Sequence, residues 1–276
     1  MHPAFAPGRA AVVTGAASGI GFAAARKFAG LGMKVIMADV SDRLEAAAAE
    51  VASAAGEGNV RALAVNVGDR AEIERLKEAA YEAFGEVAVL MNNAGVGGGA
   101  PVLGDPERWR RLLNVNLWGV INGVQAFTPA MLKQEGAAAI VNTGSKQGIT
   151  TPPGDAAYNV SKAGVKVVTE ALAHELRSID GCRISAHLLI PGFTFTGLTG
   201  SKEKPVAAWT ADEVIDFMVE RVSAGDFYIL CPDNETTREI DARRILWAAG
   251  DIVENRPALS RWHPDFREAF AEYMRG

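Results

Sequence analysis

The sequence has few of the residues that hold extracellular and metal-binding folds together. Only two cysteines, Cys182 and Cys231, occur in 276 residues, too few and too far apart in sequence for a disulfide framework or a cysteine-based zinc site. The four histidines are scattered, without the close spacing that zinc ligands need. Positive charge is also scarce: 28 basic against 33 acidic residues leave a net charge of −5. We therefore expect reduced thiols, no metal site and no nucleic-acid partner.

Long uncharged segments are missing as well. No apolar run reaches the roughly 20 residues of a membrane span, and residues 1–9 lack the apolar core of a signal peptide. These absences predict a cytoplasmic protein with no membrane partner. What remains is ordinary for a folded chain, with 49% hydrophobic and 22% charged residues.

Short apolar segments alternate with longer helical patterns. The segments predicted as strands are 10–13, 35–38, 60–65, 87–91, 137–141, 184–190 and 227–231. Most are apolar throughout, which is typical of strands covered on both faces. The clearest helix is Arg70–Phe84, with Asp69 as its N-cap, and longer helices are predicted over 105–133 and 156–178. This alternation predicts an α/β fold: a doubly wound, Rossmann-type parallel sheet of about seven strands with helices on both faces, in a single domain.

The last 45 residues lie beyond the final predicted strand. We therefore divide the chain into a dinucleotide-binding domain with the catalytic site, residues 1–231, and an extension, residues 232–276, that packs on the same domain. The extension is rich in aromatic residues, namely Trp247, Trp262, Phe266, Phe270 and Tyr273. Two interpretations of Trp262 and His263 remain open: a lid over a pocket, or cover for a subunit interface that would favour a dimer over a tetramer.

A glycine-rich loop, residues 14–21, follows the first strand and opens the first helix. Its glycines would let the backbone approach a pyrophosphate, which the free N–H groups of the helix start would bind. Asp39 ends the second strand, 24 residues after Gly15, where a carboxylate accepts hydrogen bonds from the adenosine ribose of NAD and repels the 2′-phosphate of NADP. No basic residue lies in the loop or directly after Asp39, so the sequence predicts NAD. A plain strand–helix turn, with Asp39 serving the turn, is the alternative.

Six short motifs follow one another along the chain. They are the glycine-rich loop (TGxxxGxG), Asn92-Asn93-Ala94-Gly95 (NNAG), Asn116, Ser145 placed 13 residues before Tyr158, the pair Tyr158 and Lys162 (YxxxK), and Pro191-Gly192 with Thr196 (PGxxxT). In order and spacing these motifs resemble those of the short-chain dehydrogenase/reductase family, from about residue 10 to residue 231. The resemblance implies an NAD-dependent oxidoreductase acting on CH–OH groups and assembled as a homodimer or homotetramer.

The resemblance also implies a set of site residues. The catalytic residues are Asn116, Ser145, Tyr158 and Lys162, with Asn116 holding a water that links Lys162 to solvent. The cofactor-binding residues are Gly15, Ser18, Gly19, Ile20, Gly21, Asp39, Asn66, Val67, Asn93, Ala94, Gly95, Tyr158, Lys162, Pro191, Gly192, Thr194 and Thr196. The chain departs from the family pattern at Asn66, where Asp is frequent, and at Lys146, which either faces solvent or contacts an anionic group of the substrate.

The chemistry of the central pair can be argued from the residues themselves. Tyr158 and Lys162 are four apart at a helix start and so lie on one face. To act as a base near pH 7, Tyr158 needs its pKa lowered by about three units, roughly 4 kcal/mol. A lysine ammonium about 4 Å away supplies an energy of that order, and an oxidised nicotinamide adds to it. Ser145 would hydrogen-bond the substrate oxygen as negative charge develops there.

The substrate pocket is expected beyond the carboxyl ends of the strands, in the loops 96–101, 146–155 and 193–209. Those loops carry Gly97, Gly98, Gly99, Pro152, Pro153, Phe193, Phe195, Leu198 and Trp209. They predict a roomy apolar pocket lined by aromatics, and hence a largely apolar secondary alcohol or ketone, cyclic or aromatic ones included. Alternatively the aromatics anchor the loops on the core.

Two other functions are compatible with this fold. A non-catalytic NAD(H)-binding sensor or scaffold would have lost the tyrosine or the lysine, and a dehalogenase-like or lyase variant would have lost the glycine-rich loop. Because Tyr158, Lys162 and the loop are all present, the sequence favours the enzyme.

Overall fold

The predicted strands form one parallel sheet. The computed structural model describes residues 1–56, 58–197 and 203–275. Its strands are β1 (Ala10–Thr14), β2 (Lys34–Asp39), β3 (Val60–Ala64), β4 (Val89–Asn92), β5 (Ala138–Thr143), β6 (Ile184–Ile190), β7 (Thr194–Phe195), β8 (Trp209–Thr210) and β9 (Tyr228–Leu230). Seven of them make a sheet in the order β3-β2-β1-β4-β5-β6-β9, while β7 and β8 pair separately. The order reverses between β1 and β4, and ligands bind at such a switch point in doubly wound sheets.

Helices connect the strands and cover the sheet. They are α1 (Gly19–Gly30), α2 (Leu44–Ala55), α3 (Arg70–Phe84), α4 (Pro106–Leu113), α5 (Gly119–Met131), α6 (Gln147–Thr150), α7 (Ala156–Arg177), α8 (Ala211–Ala224), α9 (Arg238–Val253) and α10 (Arg267–Arg275). Helix α3 has the predicted bounds, and the Asp69 carboxylate caps it by accepting from the N–H of Ala71 at 2.8 Å. The helix predicted over 105–133 is interrupted by a π turn, Asn114–Trp118. In the described residues no helix is both long and apolar enough to span a membrane.

Two apolar layers sandwich the sheet. On one face Phe28 of α1 and Met218 of α8 pack against Val13 of β1. On the other, Leu76 of α3 and Phe127 of α5 pack against Val12, its neighbour in the strand. Successive strand residues thus point into opposite layers, which is why the strand sequences are apolar throughout. The fold is a single α/β domain of the Rossmann type, as predicted.

The described part of the C-terminal segment, residues 232–275, forms an aromatic cluster of its own. Trp247 of α9 is 6% exposed and packs against Phe270 and Tyr273 of α10, with ring centroids 5.2 and 5.1 Å away. The guanidinium of Arg256 lies 4.1 Å from the Trp247 ring, and the indole N–H donates to Ser260 Oγ at 2.7 Å. Helix α9 also contacts α6, which begins two residues after Ser145. The segment therefore reaches the site described next.

Candidate active site

A cleft of about 770 Å³ opens where the central strands end. All of the predicted cofactor residues except Gly21 line it, and so does Ser145. The glycine-rich loop forms one wall, the NNAG segment after β4 lies beside it, and the loop after β6 closes the far side. The predicted residues that line the cleft, which are spread between Gly15 and Thr196 in the sequence, thus meet around one cavity.

The glycine loop can hold a dinucleotide because its backbone packs closely against the NNAG segment. The absence of side chains there leaves a concave surface, called the cradle below. Gly15 has φ +67°, and a Cβ there would lie 2.7 Å from Ala94 Cα. Gly21 sits behind the loop, where a Cβ would lie 2.1 Å from the carbonyl oxygen of Gly15. Thr14 Oγ1 accepts from the N–H of Asn93 at 2.9 Å and so connects the start of the loop to the end of β4, the neighbouring strand of the sheet. Gly21 therefore shapes the cradle without lining it.

A Gly21→Ala substitution is expected to weaken NAD binding at least tenfold and to lower the free energy of unfolding by about 1–3 kcal/mol, as overpacking does. The matched control is Gly30→Ala, at the last position of the same helix, where a Cβ meets nothing within 4 Å. That variant should keep NAD affinity and gain up to about 1 kcal/mol. Titration with NAD and urea unfolding of both variants check this. Equal affinity in the two would show that the cradle does not depend on Gly21.

Asp39 lies at the end of β2, on the rim of the cleft. Its Oδ2 accepts from the N–H of Ala17 at 2.9 Å and its Oδ1 from the N–H of Ser41 at 3.0 Å. Each carboxylate oxygen keeps a further lone pair, so Asp39 can serve the turn and still accept from a ribose. Asn66, also on the rim, uses its Oδ1 to accept from the N–H of Gly68 at 3.0 Å.

The proposed acid–base group lies at the start of α7. Asp155 caps this helix by accepting from the N–H of Tyr158, and Lys162 lies one turn further on. Lys162 Nζ is 5.7 Å from the centre of the Tyr158 ring and donates to the carbonyl of Thr143 at 2.8 Å. Ser145 lines the cleft beside Tyr158, and its hydroxyl acts to lower the pKa of that phenol. A serine hydroxyl, a phenol and an ammonium thus lie together on one wall of the cleft.

Burial dominates the protonation of this group. It raises the pKa of Tyr158, against the opposing effect of Ser145, and Asp155 adds to the rise. Burial likewise lowers the pKa of Lys162, which is 4% exposed, to about 8. The sequence argument counts the attraction of the lysine charge and leaves out the desolvation of both groups, which shifts the pKa of Tyr158 upward. That Lys162 and an oxidised nicotinamide together lower this pKa stays a prediction.

Asn116 is fully buried behind the cleft, in the π turn between α4 and α5. Its Oδ1 accepts from the N–H of Val96 at 2.8 Å, and its Nδ2 donates to the carbonyl of Val96 at 3.0 Å. A Cβ on Gly95 would lie 3.5 Å from this Oδ1 and 3.8 Å from Lys162 Nζ. Asn116 therefore fixes the backbone next to the lysine. Whether it also holds a water stays a prediction.

The substrate side differs from the expected aromatic pocket. Gly97, Gly98 and Phe193 line the cleft, but Gly99, Pro152, Pro153, Phe195 and Trp209 are not among its described lining residues. Leu198 lies outside the described residues. Trp209 packs against Phe217 of α8, with ring centroids 5.8 Å apart, so it anchors the loop on the core. The alternative interpretation is thus correct for Trp209.

Sequence reasoning missed two polar residues of the lining, Gln147 and Asp155. Gln147 follows Ser145 by two positions, and its buried Oε1 finds no hydrogen-bond partner among the described residues. Asp155 precedes α7 and approaches Gly99 so closely that a Cβ there would overlap its carboxylate. Their closeness in sequence to Ser145 and Tyr158 is the signal that could have identified them as lining residues.

Lys146 lines the cleft, but its side chain is only 18% exposed and so does not face open solvent. Its Nζ pairs with Asp241 at 2.6 Å and with Asp233 at 3.4 Å, so two carboxylates already balance its charge. Contact with an anionic group of the substrate stays a prediction. The lid interpretation of Trp262 and His263 lacks support, since the described lining includes no residue beyond 197.

Comparison with known proteins agrees with this geometry. The profile of the short chain dehydrogenase family matches residues 9–207. The chain belongs to this family. A 1-deoxy-11-beta-hydroxypentalenate dehydrogenase of Streptomyces exfoliatus is 33% identical over 263 residues, 92% of this chain and 94% of the relative. A 3-oxoacyl-[acyl-carrier-protein] reductase of Thermotoga maritima is 38% identical over 194 residues, 70% of this chain and 76% of the relative.

A solved structure is similar over almost the whole dehydrogenase. The short chain dehydrogenase/reductase from Burkholderia phymatum, in complex with NAD, has a TM-score of 0.82 and 34% sequence identity, and the match covers 91% of this chain and 96% of that one. Members of the family are oxidoreductases that act on CH–OH groups with NAD or NADP. The dehydrogenase described here is therefore an oxidoreductase of that class.

Proposed function

We propose that this dehydrogenase uses NAD to interconvert a largely apolar secondary alcohol and its ketone, with Tyr158 as the general acid and base. The observation that carries the proposal is the meeting of Ser145, Tyr158 and Lys162 in a cleft whose other end is bounded by the glycine loop and Asp39. A phenol acts as a base near neutral pH only when a nearby positive charge stabilises its ionised form. The cofactor that accepts the hydride must bind next to that phenol.

The two halves of the cofactor would bind at opposite ends of the cleft. The glycine loop would hold the pyrophosphate and Asp39 the adenosine ribose. Lys162 and the loop from Pro191 to Thr196 would hold the nicotinamide half. When bound, oxidised NAD supplies a hydride acceptor and a positive charge beside Tyr158. NAD rather than NADP is supported by the carboxylate at Asp39 and by the exposed, uncharged side chain of Val40 next to it.

In oxidation, Tyr158 Oη takes the proton of the substrate hydroxyl. Ser145 holds that oxygen in place while charge develops on it. Lys162 stabilises the deprotonated phenol through its positive charge, and its hydrogen bond to Thr143 keeps the ammonium on that side of Tyr158. In reduction, Tyr158 returns the proton to the carbonyl oxygen.

The substrate class follows from the lining beyond Tyr158. Val96 and Phe193 offer apolar contact, and Gln147 and Asp155 add a small number of polar atoms. Such a mixture suits an apolar molecule with a few oriented polar groups. A relative named for a hydroxypentalenate substrate supports a hydroxyl carried on a hydrocarbon skeleton.

Turnover measured by reduced-nicotinamide absorbance tests the proposal. NAD⁺ and NADP⁺ are each combined with a panel of cyclic, aryl and aliphatic secondary alcohols. We expect signal with NAD⁺ and with one chemical class. Preference for NADP⁺ would overturn the cofactor assignment, and silence with NAD⁺ still raising the melting temperature would favour a sensor.

Assembly and location belong to the same proposal. Trp118, Val160 and Val167, from the π turn and from α7, are 53%, 47% and 61% exposed. Burying such side chains against a second copy would stabilise an oligomer. We expect a homodimer or homotetramer in the cytoplasm, and sedimentation of the purified protein determines which. The 231/232 boundary of the extension likewise stays a prediction.

The lowered pKa of Lys162 predicts how stability depends on pH. Between about pH 8 and 10 the buried lysine releases its proton, while the same lysine in the unfolded chain, with its ordinary pKa of 10.5, still mostly holds it. The unfolded state then binds more protons, so stability rises with pH in this window. From pH 7.5 to 9.5, the unfolding free energy of the natural protein should rise by about 2 kcal/mol relative to Lys162→Met. Urea unfolding of both proteins at the two pH values measures this, and parallel curves would contradict it.

A further inference from the structure

A buried ion cluster connects the C-terminal segment to the candidate active site. It consists of Lys146, Asp233 and Asp241, whose side chains are 18%, 7% and 6% exposed. Lys146 directly follows Ser145, Asp233 lies after β9, and Asp241 lies in the first turn of α9. One ammonium thus joins two carboxylates of the segment 232–276 to the loop that carries Ser145.

The cluster also touches the loop expected at the nicotinamide. Asp233 Oδ2 accepts from the N–H of Phe193 at 3.2 Å, while its Oδ1 accepts from the N–H of Thr236 at 2.7 Å. A Cβ on Gly192 would lie 2.9 Å from Asp233 Oδ2 and 3.0 Å from Lys146 Nζ. The backbone of Gly192 and Phe193 therefore rests directly on the ion cluster.

The protonation of the carboxylates agrees with this arrangement. Burial alone would raise the pKa of Asp233, but the N–H of Phe193, the Lys146 charge and two further N–H groups hold it below its usual value. Burial raises the pKa of Asp241 despite the ion pair with Lys146 and the charge of Arg244. The ionised form of Asp241 is thus costly here, yet its carboxylate makes the short 2.6 Å contact to Lys146.

Buried ion pairs are a weak source of stability, because desolvation offsets most of the attraction. Their best-attested use is to specify one arrangement of the surrounding structure. In this protein the arrangement specified is the position of two loops relative to each other and to α9. Lys146 adjoins Ser145, Asp233 accepts from the backbone of Phe193, and Asp241 lies on α9.

We propose that the ion cluster is a positioning element of the dehydrogenase. Through Lys146 and Asp233, helix α9 holds the loop of Ser145 and the loop of Gly192–Phe193 in the geometry that binds the nicotinamide half of the cofactor. Asp241 acts only through Lys146, so it is a positioning residue and does not contact the ligand. The part that concerns the cofactor rests on the proposed function, whereas the coupling of the loops to α9 does not.

Asp241→Asn tests the coupling without a large change in shape. Its matched control is Asp251→Asn in the same helix, which removes a contact of 3.1 Å to Arg256 inside the aromatic cluster. Hydrogen–deuterium exchange is followed by mass spectrometry for peptides covering 144–150 and 190–197. We expect faster exchange of both peptides in Asp241→Asn, and in Asp251→Asn faster exchange only in the last 30 residues. The Kd for NADH, from fluorescence titration, should rise about tenfold in Asp241→Asn alone.

A second pair of variants guards against simple unfolding. Lys146→Arg keeps the charge and should keep NADH affinity within about twofold, whereas Lys146→Met should behave as Asp241→Asn does. If both peptides of Asp241→Asn exchange at the rate of the natural protein, the proposal is overturned. It is also overturned if the same peptides exchange equally fast in Asp251→Asn. If the natural protein binds no NADH, the proposed function fails, while the exchange experiment still decides whether α9 holds the loops.

Discussion

Replacing Tyr158 with phenylalanine is expected to lower kcat by a factor of about 10²–10⁴ while the Kd for NAD stays within about twofold. The substitution removes only the phenolic oxygen, which is the atom proposed to exchange the proton. The ring stays in place at the start of α7, where Lys162 Nζ lies 5.7 Å from its centre and continues to donate to Thr143. Substrate and cofactor should therefore still bind, and turnover with the best alcohol of the panel should be lost.

Tyr81→Phe is the matched control. The Tyr81 hydroxyl also makes a partly buried hydrogen bond, to Gln134 at 2.6 Å, and burial raises its pKa to about 12. It lies on α3, and Tyr81 is not among the described residues that line the cleft. Loss of this hydroxyl costs about 1 kcal/mol of stability and leaves kcat unchanged. Full activity in Tyr158→Phe would mean that the proton leaves by another route.

The sheet could be predicted because its evidence is local. Each parallel strand is buried on both faces, so a short apolar segment such as 137–141 identifies its strand without reference to the rest of the chain. The residues at the carboxyl ends of those strands could be predicted for a related reason. A parallel sheet brings them to one edge, and the motifs from Gly15 to Thr196 lie just there.

The contacts that failed prediction are distant in sequence. Lys146 meets Asp241 across 95 positions, and no local pattern marks either residue as the partner of the other. For Trp209, a pocket-lining aromatic residue and a loop anchor have the same sequence signature, and only the position of Phe217 decides between them. The upward shift in the pKa of Tyr158 could not be predicted for a third reason. Desolvation depends on how many atoms surround the phenol, and the four-residue spacing between Tyr158 and Lys162 does not reveal that number.

Cofactor choice should follow the charge at the end of β2. Asp39→Ala together with Val40→Arg is expected to lower the ratio of kcat/KM for NAD to that for NADP by about 10³ or more. The first substitution removes the carboxylate that is proposed to hydrogen-bond the ribose and to repel a 2′-phosphate. The second places a guanidinium, which binds phosphate through paired hydrogen bonds, at a position that is 71% exposed and on the rim of the cleft.

Two further variants separate charge from loop support, since Asp39 also accepts from the N–H groups of Ala17 and Ser41. Asp42→Ala removes the same charge from an exposed position three residues away and should change the ratio less than about twofold, because exposed charges are well screened. Asp39→Asn keeps one acceptor oxygen and removes the charge, so it should weaken NAD and favour NADP. If Asp39→Asn instead lowers kcat/KM equally for both cofactors, the carboxylate supports the loop and does not select the cofactor. Steady-state kinetics with each cofactor at a fixed alcohol concentration decides between these outcomes.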